Sequence, residues 1–240
     1  MRAALDLWAP LCCPLCGDRL AGDDGCGRCR LPAAPLCVRQ LRSDRQGAYL
    51  LLGGGRFRGA WRRLLLAYKF RRDPAAGRLL ARQVALAVGT GAAWDALVPI
   101  PAHPLRRRER GWEPVADLAA QVATRCDLPR RAALRRVRPT PPLAGRGRAE
   151  RRRVVRAAFV AHPAQGCLLL FDDVATSGAT LLAGRRALLA AGAEAVDLLA
   201  AAITPPAAGA LSRRKQYASV PPARRLRTVS REGMRSTDVP

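Results

Sequence analysis

One segment of the sequence, residues 166–203, restricts the fold more than any other part. Gly166-Cys-Leu-Leu-Leu-Phe171 has no polar side chain, which is typical of a strand buried on both faces of a parallel sheet. An Ala/Leu-rich helix is predicted from Thr180 to Ala191, with Gly192 as its C-terminal cap, and Ala195 to Ile203 is predicted to be a second buried strand. This strand–helix–strand order implies a right-handed crossover in a parallel sheet.

The preceding residues extend the same pattern. Asp95 to Pro101 is predicted to be a short strand, and Glu113 to Arg125 a helix. Residues 56–89 have apolar side chains at helical spacing, and we expect Pro74 and Gly77 to divide them into two helices. The predicted fold class is therefore α/β, a parallel sheet flanked by helices.

The junction after the first buried strand carries the most informative chemistry. Asp172 and Asp173 lie at the strand's carboxyl end, where open α/β sheets bind ligands. Their carboxylates can accept hydrogen bonds from ribose hydroxyls or hold Mg²⁺. A loop of small and hydroxyl residues then enters the helix, where backbone N–H groups and the helix dipole favour a phosphate. The predicted phosphate loop consists of Ala175, Thr176, Ser177, Gly178, Ala179 and Thr180.

A simpler interpretation of this junction is an acidic strand end followed by a Thr/Ser helix cap. The complete order, an apolar strand, two acids and then Thr-Ser-Gly-x-Thr, is much rarer than a lone cap and favours phosphate binding. The loop is not a nucleotide-binding P-loop, because it lacks the final Gly-Lys-Ser/Thr.

A cysteine module precedes the α/β pattern. Cys13-x-x-Cys16 is followed by Cys26-x-x-Cys29, and two such pairs supply the four thiolates that tetrahedral zinc prefers. Four protein ligands leave no open position, so the predicted zinc is structural. Disulfides or a redox pair are the alternatives, and Cys12 can compete with Cys13.

Charge distinguishes this chain from an average protein. There are 42 basic and 18 acidic residues, a net charge of +24, and only Lys69 and Lys215 among the basic residues are lysines. Such an excess favours a polyanionic partner such as nucleic acid, a membrane surface or a phosphorylated ligand. Abundant Arg, Ala, Gly and Pro also fit GC-rich coding, so charge alone does not identify the partner.

These patterns divide the chain into three predicted parts: a Cys-rich zinc-ribbon module over 1–45, an α/β domain over 50–205 and a basic, disordered tail over 206–240. An Arg-, Pro- and Gly-rich stretch near 130–156 is expected to be a mobile loop. No apolar run is long enough to cross a membrane, and Asp6 interrupts any secretory signal, so a cytoplasmic protein is expected.

The acid pair and phosphate loop resemble the signature of type I phosphoribosyltransferases, and the rest of residues 10–204 resembles the ComF family of bacterial competence proteins. The similarity rests on the cysteine module and on segments matching family motifs, namely Tyr68-Lys69-Phe70-Arg71, Val98-Pro-Ile-Pro101, Arg108-Glu-Arg-Gly-Trp112, Arg151 and Phe159. At Glu113 the family has Asn.

The resemblance implies a type I phosphoribosyltransferase-like fold that binds 5-phosphoribosyl 1-diphosphate with Mg²⁺. Asp172 and Asp173 would be the catalytic acids. Pyrophosphate would leave from ribose C1, and the stretch after the first sheet strand, especially Arg110 and Gly111, would bind it.

The sequence favours two functions. One is a phosphoribosyltransferase acting on an unidentified nucleophile. The other is a non-catalytic accessory protein of DNA uptake that binds single-stranded DNA or partner proteins. A low aromatic content, 5%, argues against base stacking in the second.

Overall fold

The computed structural model describes residues 12–19, 29, 37–89, 94–103, 107–109, 111–137 and 158–204. Their central sheet has five strands in the order β1-β2-β7-β6-β3, with bounds Val38–Asp44 (β1), Gly47–Gly53 (β2), Ala96–Pro99 (β3), Cys167–Ala175 (β6) and Ala195–Ile203 (β7). The contacts β2–β7, β7–β6 and β6–β3 are parallel and only the β1–β2 hairpin is antiparallel. The predicted α/β class with a mostly parallel sheet is confirmed.

Helices cover both faces of this sheet. They are Gly59–Arg71 (α1), Pro74–Val88 (α2), Pro114–Arg125 (α3) and Ala179–Ala190 (α4). Alternate residues of β6 point to opposite sides: Leu169 and Phe171 pack with α1, α2 and α3, whereas Leu168 and Leu170 pack with α4. Every residue from Leu168 to Phe171 is fully buried, as the unbroken apolar run predicts.

The central strand β6 is longer than its apolar run. It continues through Asp172 and Asp173 to Ala175, because its second half pairs with β7 in the register Asp172↔Ala200, Val174↔Ala202 and Ala175↔Ile203. The two acids therefore lie within the carboxyl-terminal half of the strand rather than after its end.

The division between α1 and α2 differs from the prediction. Pro74 occupies the first turn of α2, and the carboxylate of Asp73 caps it by accepting the N–H groups of Ala75 and Ala76 at 2.9 and 3.0 Å. Gly77 does not break the helix. It lies inside α2, where a Cβ would come within 2.9 Å of the Tyr68 ring, so it is required for close packing of α2 against α1.

Two antiparallel pairs were not predicted. In the first, β1 and β2 form a hairpin. The guanidinium of the buried Arg185, in α4, contacts this hairpin at Asp44 (2.7 Å) and also lies 3.1 Å from the Val196 carbonyl of β7. The sheet thus begins at Val38, inside the range expected for the cysteine module. The second pair joins Leu134–Arg136 (β4) and Phe159–Ala161 (β5). The prediction of a mobile loop near 130–156 is therefore wrong for β4, because pairing with β5 makes residues 134–136 a strand.

Residues 138–157, which include most of that loop, and the tail beyond 204 lie outside the described residues. Within the part of the chain that is described, no helix combines the length and apolar character needed to span a membrane.

Candidate functional site

The acid pair is held in place by two contacts. The N–H of Asp173 donates to Oδ1 of Asp172 at 2.8 Å, and the ammonium of Lys69, near the end of α1, contacts Oδ2 of Asp173. Both carboxylates are half-buried at the carboxyl-terminal half of β6. Their orientation is therefore set by the protein before any ligand arrives.

Burial and mutual repulsion make the pair electrostatically unusual. Removal from solvent, followed by the negative charge of Asp173, raises the pKa of Asp172 to about 7. The positive charges of Lys69 and Arg136 and the N–H of Asp173 oppose this rise without cancelling it. A cation or hydrogen-bond donors from a ligand would relieve the repulsion.

The predicted phosphate loop, Ala175 to Thr180, runs from the last residue of β6 into the first turn of α4. Ala175 ends the strand, and Gly178 adopts a left-handed conformation, φ 71°, at the N-terminal cap of α4, which begins at Ala179. The Gly178 carbonyl accepts the N–H of Leu182 at 2.9 Å, so the turn leads directly into the helix. This confirms the strand–loop–helix order, with N–H groups at a helix start.

The hydroxyl side chains of the loop are accessible, whereas Ala175 and Ala179 are buried. Thr176 is exposed, and Ser177, Gly178 and Thr180 are half-exposed. The Oγ of Ser177 accepts a long hydrogen bond from the Ala179 N–H at 3.4 Å, a contact weak enough for a stronger acceptor to replace.

A second feature is an open cleft of about 910 Å³, here called the arginine cleft. It is lined by Pro101, Ala102, Arg107, Arg108, Gly111, Trp112, Glu113, Leu134, Arg135 and Arg136. Arg107 lies 3.5 Å from Glu113, which precedes the first residue of α3. Gly111 has a positive φ of 63° and lies in this cleft, whereas Arg110 lies outside the described residues. That these two residues bind a diphosphate stays a prediction.

Arg136 connects the two features. It lines the arginine cleft, its guanidinium stacks 5.1 Å from the Phe159 ring, and its charge lowers the pKa of Asp172. A ligand with one polar end at the acid pair and an anionic end in the cleft would contact both.

The end of α1 borders both features as well. Lys69 contacts Asp173, while the guanidinium of Arg72 lies 5.7 Å from the Trp112 ring and would be 3.2 Å from a Cβ at Gly111. Trp112 also packs edge-on against Tyr68 at 5.1 Å. The roles of Lys69, Arg72 and Arg136 were not predicted from the sequence. Of the three, Lys69 carried signals in the sequence: it lies in the Tyr68–Arg71 segment that resembles a family motif, and it is one of two lysines among 42 basic residues.

The cysteine module is partly described. Ligand atoms of Cys13, Cys16 and Cys29 lie within 4.8 Å of one another, a group that can hold a metal ion such as zinc. The turn between the first two is tight: the Gly17 N–H donates to the Cys13 carbonyl at 2.8 Å, and Gly17 has a φ of 83°. Cys26, the fourth predicted ligand, lies outside the described residues, and no described cysteine forms a disulfide.

Comparison with known proteins identifies no family for this chain. No protein-family model matches the chain, and no curated protein matches it. Among solved structures, UMP synthase of Leishmania donovani is similar over 58% of this chain and 24% of its own, with 19% identity and a TM-score of 0.36. This chain thus spans about a quarter of that protein. Similarity this low establishes neither the fold nor the function of this chain. The fold described above follows from the chain's own strands and helices.

Proposed function

We propose that this protein binds 5-phosphoribosyl 1-diphosphate with Mg²⁺ and transfers the phosphoribosyl group to a nucleophile, as the resemblance to the ComF family and type I phosphoribosyltransferases implies. One observation carries the proposal. A half-buried acid pair lies on β6, and a hydroxyl-lined loop at a helix start follows it directly. Arg136, whose charge lowers the pKa of Asp172, lines a cleft together with three other arginines.

The ribose and its 5′-phosphate are assigned to β6 and the loop after it. Asp172 and Asp173 accept hydrogen bonds from the ribose hydroxyls and face the positive charge that develops on the ring as the C1–oxygen bond breaks. Residues Ala175 to Thr180 hold the phosphate through N–H groups at the start of α4 and through the hydroxyls of Thr176, Ser177 and Thr180. Binding both ends fixes the reacting carbon.

The diphosphate is assigned to the arginine cleft. Arg107, Arg108, Arg135 and Arg136 supply guanidinium groups suited to phosphate oxygens, and they neutralise the charge that grows on the leaving group. Gly111 lets the backbone approach the ligand, and Arg110 is proposed to act beside it. The incoming nucleophile forms the new bond to C1 as the bond between C1 and the diphosphate oxygen breaks, and its proton passes to the departing pyrophosphate or to solvent.

The acid pair fits a magnesium ion, because carboxylate oxygens are its preferred protein ligands and the repulsion within the pair calls for a cation. Asp172 and Asp173 would hold it directly or through water. When bound, Mg²⁺ supplies charge neutralisation for the diphosphate.

For the cysteine module we propose a structural zinc held by Cys13, Cys16 and Cys29, with Cys26 as the fourth ligand. Three of the four thiol groups already lie together. Cys13→Ser should lower bound zinc from about one equivalent to a small fraction, since a tetrahedral thiolate site loses affinity with any ligand. Full zinc content in both Cys13→Ser and Cys16→Ser would contradict the assignment.

Titration calorimetry with the sugar diphosphate, with and without Mg²⁺, tests the main proposal. We expect saturable binding that requires Mg²⁺. Binding of ribose 5-phosphate should be weaker, because it leaves the arginine cleft vacant. Absence of binding at millimolar donor and Mg²⁺ would refute the proposal.

A second function, binding of single-stranded DNA as an accessory protein of DNA uptake, is favoured by exposed side chains on α1. Arg62, Arg63 and Arg71 are exposed there, and Phe70 is 62% exposed. Such binding would weaken steeply with salt, with a slope of about 0.7 per phosphate contact, and would not need the acid pair. Salt titration therefore separates the two functions.

A further inference from the structure

We propose that Lys69 is a positioning residue of the donor site. Its ammonium holds Asp173 by one carboxylate oxygen and leaves the other oxygen free for the ligand. This inference rests on the proposed donor binding and adds a role for a helix that the predicted site did not include.

The backbone that carries Lys69 is firmly fixed. The preceding residue, Tyr68, is buried, and its hydroxyl donates to Asp117 at 2.6 Å and lies 3.1 Å from the Pro114 carbonyl. These contacts tie the end of α1 to the start of α3. Because the helix cannot shift easily, the lysine side chain has a defined starting point and reaches β6 in one direction.

The contact with Asp173 is partly shielded from solvent. The Lys69 side chain is 23% exposed and that of Asp173 is 14% exposed, so water screens this pair less than a surface pair. The described contact is with Oδ2 only. Asp172 is oriented separately, by the N–H of Asp173. Each acid thus has its own anchor and retains an oxygen for a ligand.

The identity of the cation matters in this geometry. The chain uses arginine at 40 of its 42 basic positions, yet a lysine stands here. A guanidinium fork pairs with both oxygens of a carboxylate, whereas an ammonium is a compact charge that can satisfy one. Arginine at position 69 would therefore occupy the oxygen that the donor needs, in addition to being bulkier.

The test compares Lys69→Met, Lys69→Arg and wild type by calorimetry with the sugar diphosphate and Mg²⁺, with thermal melting measured in parallel. Lys215→Arg is the matched control, because it changes the other lysine in the same way. Arg78→Met, which removes an exposed arginine from α2, controls for the loss of one positive charge. We expect both Lys69 variants to bind the donor about tenfold more weakly or worse, with melting temperatures within a few degrees of wild type. Both controls should bind as wild type does.

Three results would overturn the inference while leaving donor binding intact. Lys69→Arg with wild-type affinity would mean that any cation suffices. Unchanged or tighter binding by Lys69→Met would mean that the lysine is irrelevant or competes with the ligand. Loss of the melting transition in both variants would mean that Lys69 serves folding instead. If the wild-type protein itself fails to bind the donor, that result refutes both this inference and the proposed function.

Discussion

The acid pair and the arginine cleft are built in contrasting ways. Asp172 and Asp173 lie on a nine-residue strand in the interior of the sheet, with β3 on one side and β7 on the other. The cleft is formed by residues near 107–113 and by the three-residue strand β4, and the side chain of Arg107 is 71% exposed. One region has fixed geometry and few charges, whereas the other has many charges on short, accessible segments.

We expect the acid pair to position the ligand and the arginine cleft to attract and neutralise its charge. Fixed, half-buried carboxylates can place a reacting carbon, because their positions are costly to change. Exposed guanidinium groups act mainly through their summed field, which salt weakens and which no single residue dominates. Substitutions should therefore have large and specific effects in the first region and small, cumulative effects in the second.

The largest effect is expected from Asp172→Asn combined with Asp173→Asn. Because the two carboxylates are assigned charge-assisted contacts to the ribose, their loss should weaken donor binding more than about a hundredfold. The melting temperature should not fall, since neither acid belongs to the apolar core. Calorimetry and melting together check this, and unchanged affinity would remove the acid pair from the site.

A smaller effect is expected from the single variant Asp172→Asn, which should raise the free energy of unfolding at high pH. The pKa of Asp172 in the folded protein is raised to about 7, above its value in the unfolded chain. Between about pH 4 and 7 the folded protein therefore binds one more proton at this carboxylate than the unfolded chain does. The free energy of unfolding falls as the pH rises through this range. Asparagine carries no charge, and the variant should exceed wild type in free energy of unfolding by up to about 4 kcal/mol at pH 8.

The advantage of Asp172→Asn should shrink towards zero at pH 4, where the wild-type acid is protonated when folded. Chemical denaturation at both pH values measures it. An equal difference at the two pH values would show that burial does not penalise the ionised form. Arg108→Met, in the cleft, serves as a comparison without such a pH dependence.

The smallest effects are expected for single arginines of the cleft. Arg108→Met and Arg135→Met should each weaken donor binding about threefold to tenfold, because neighbouring guanidinium groups share the diphosphate charge. The loss should diminish at high salt, and the double variant should be close to additive. A hundredfold loss from either single change would mean that the cleft, too, depends on one fixed contact.

The sequence predicted the elements with a strong local pattern. The apolar runs of β6 and β7 predicted two central strands of the sheet, whereas the β1–β2 hairpin was missed. The order acid pair, small loop, helix predicted one half of the candidate site. Lys69, Arg72 and Arg136 were not found because they come from α1, the residue after it and β4, which only tertiary packing brings to β6. Gly77 was misjudged for the same reason: its neighbour is the Tyr68 ring on another helix.

A crystal structure of the protein with the sugar diphosphate and Mg²⁺ tests the central claim most directly. The account predicts the 5′-phosphate against the N–H groups of residues 176–179, the ribose hydroxyls on Asp172 and Asp173, and the diphosphate directed into the arginine cleft. Donor bound elsewhere, or a loop whose N–H groups stay paired with the protein's own atoms while ligand is present, would contradict it.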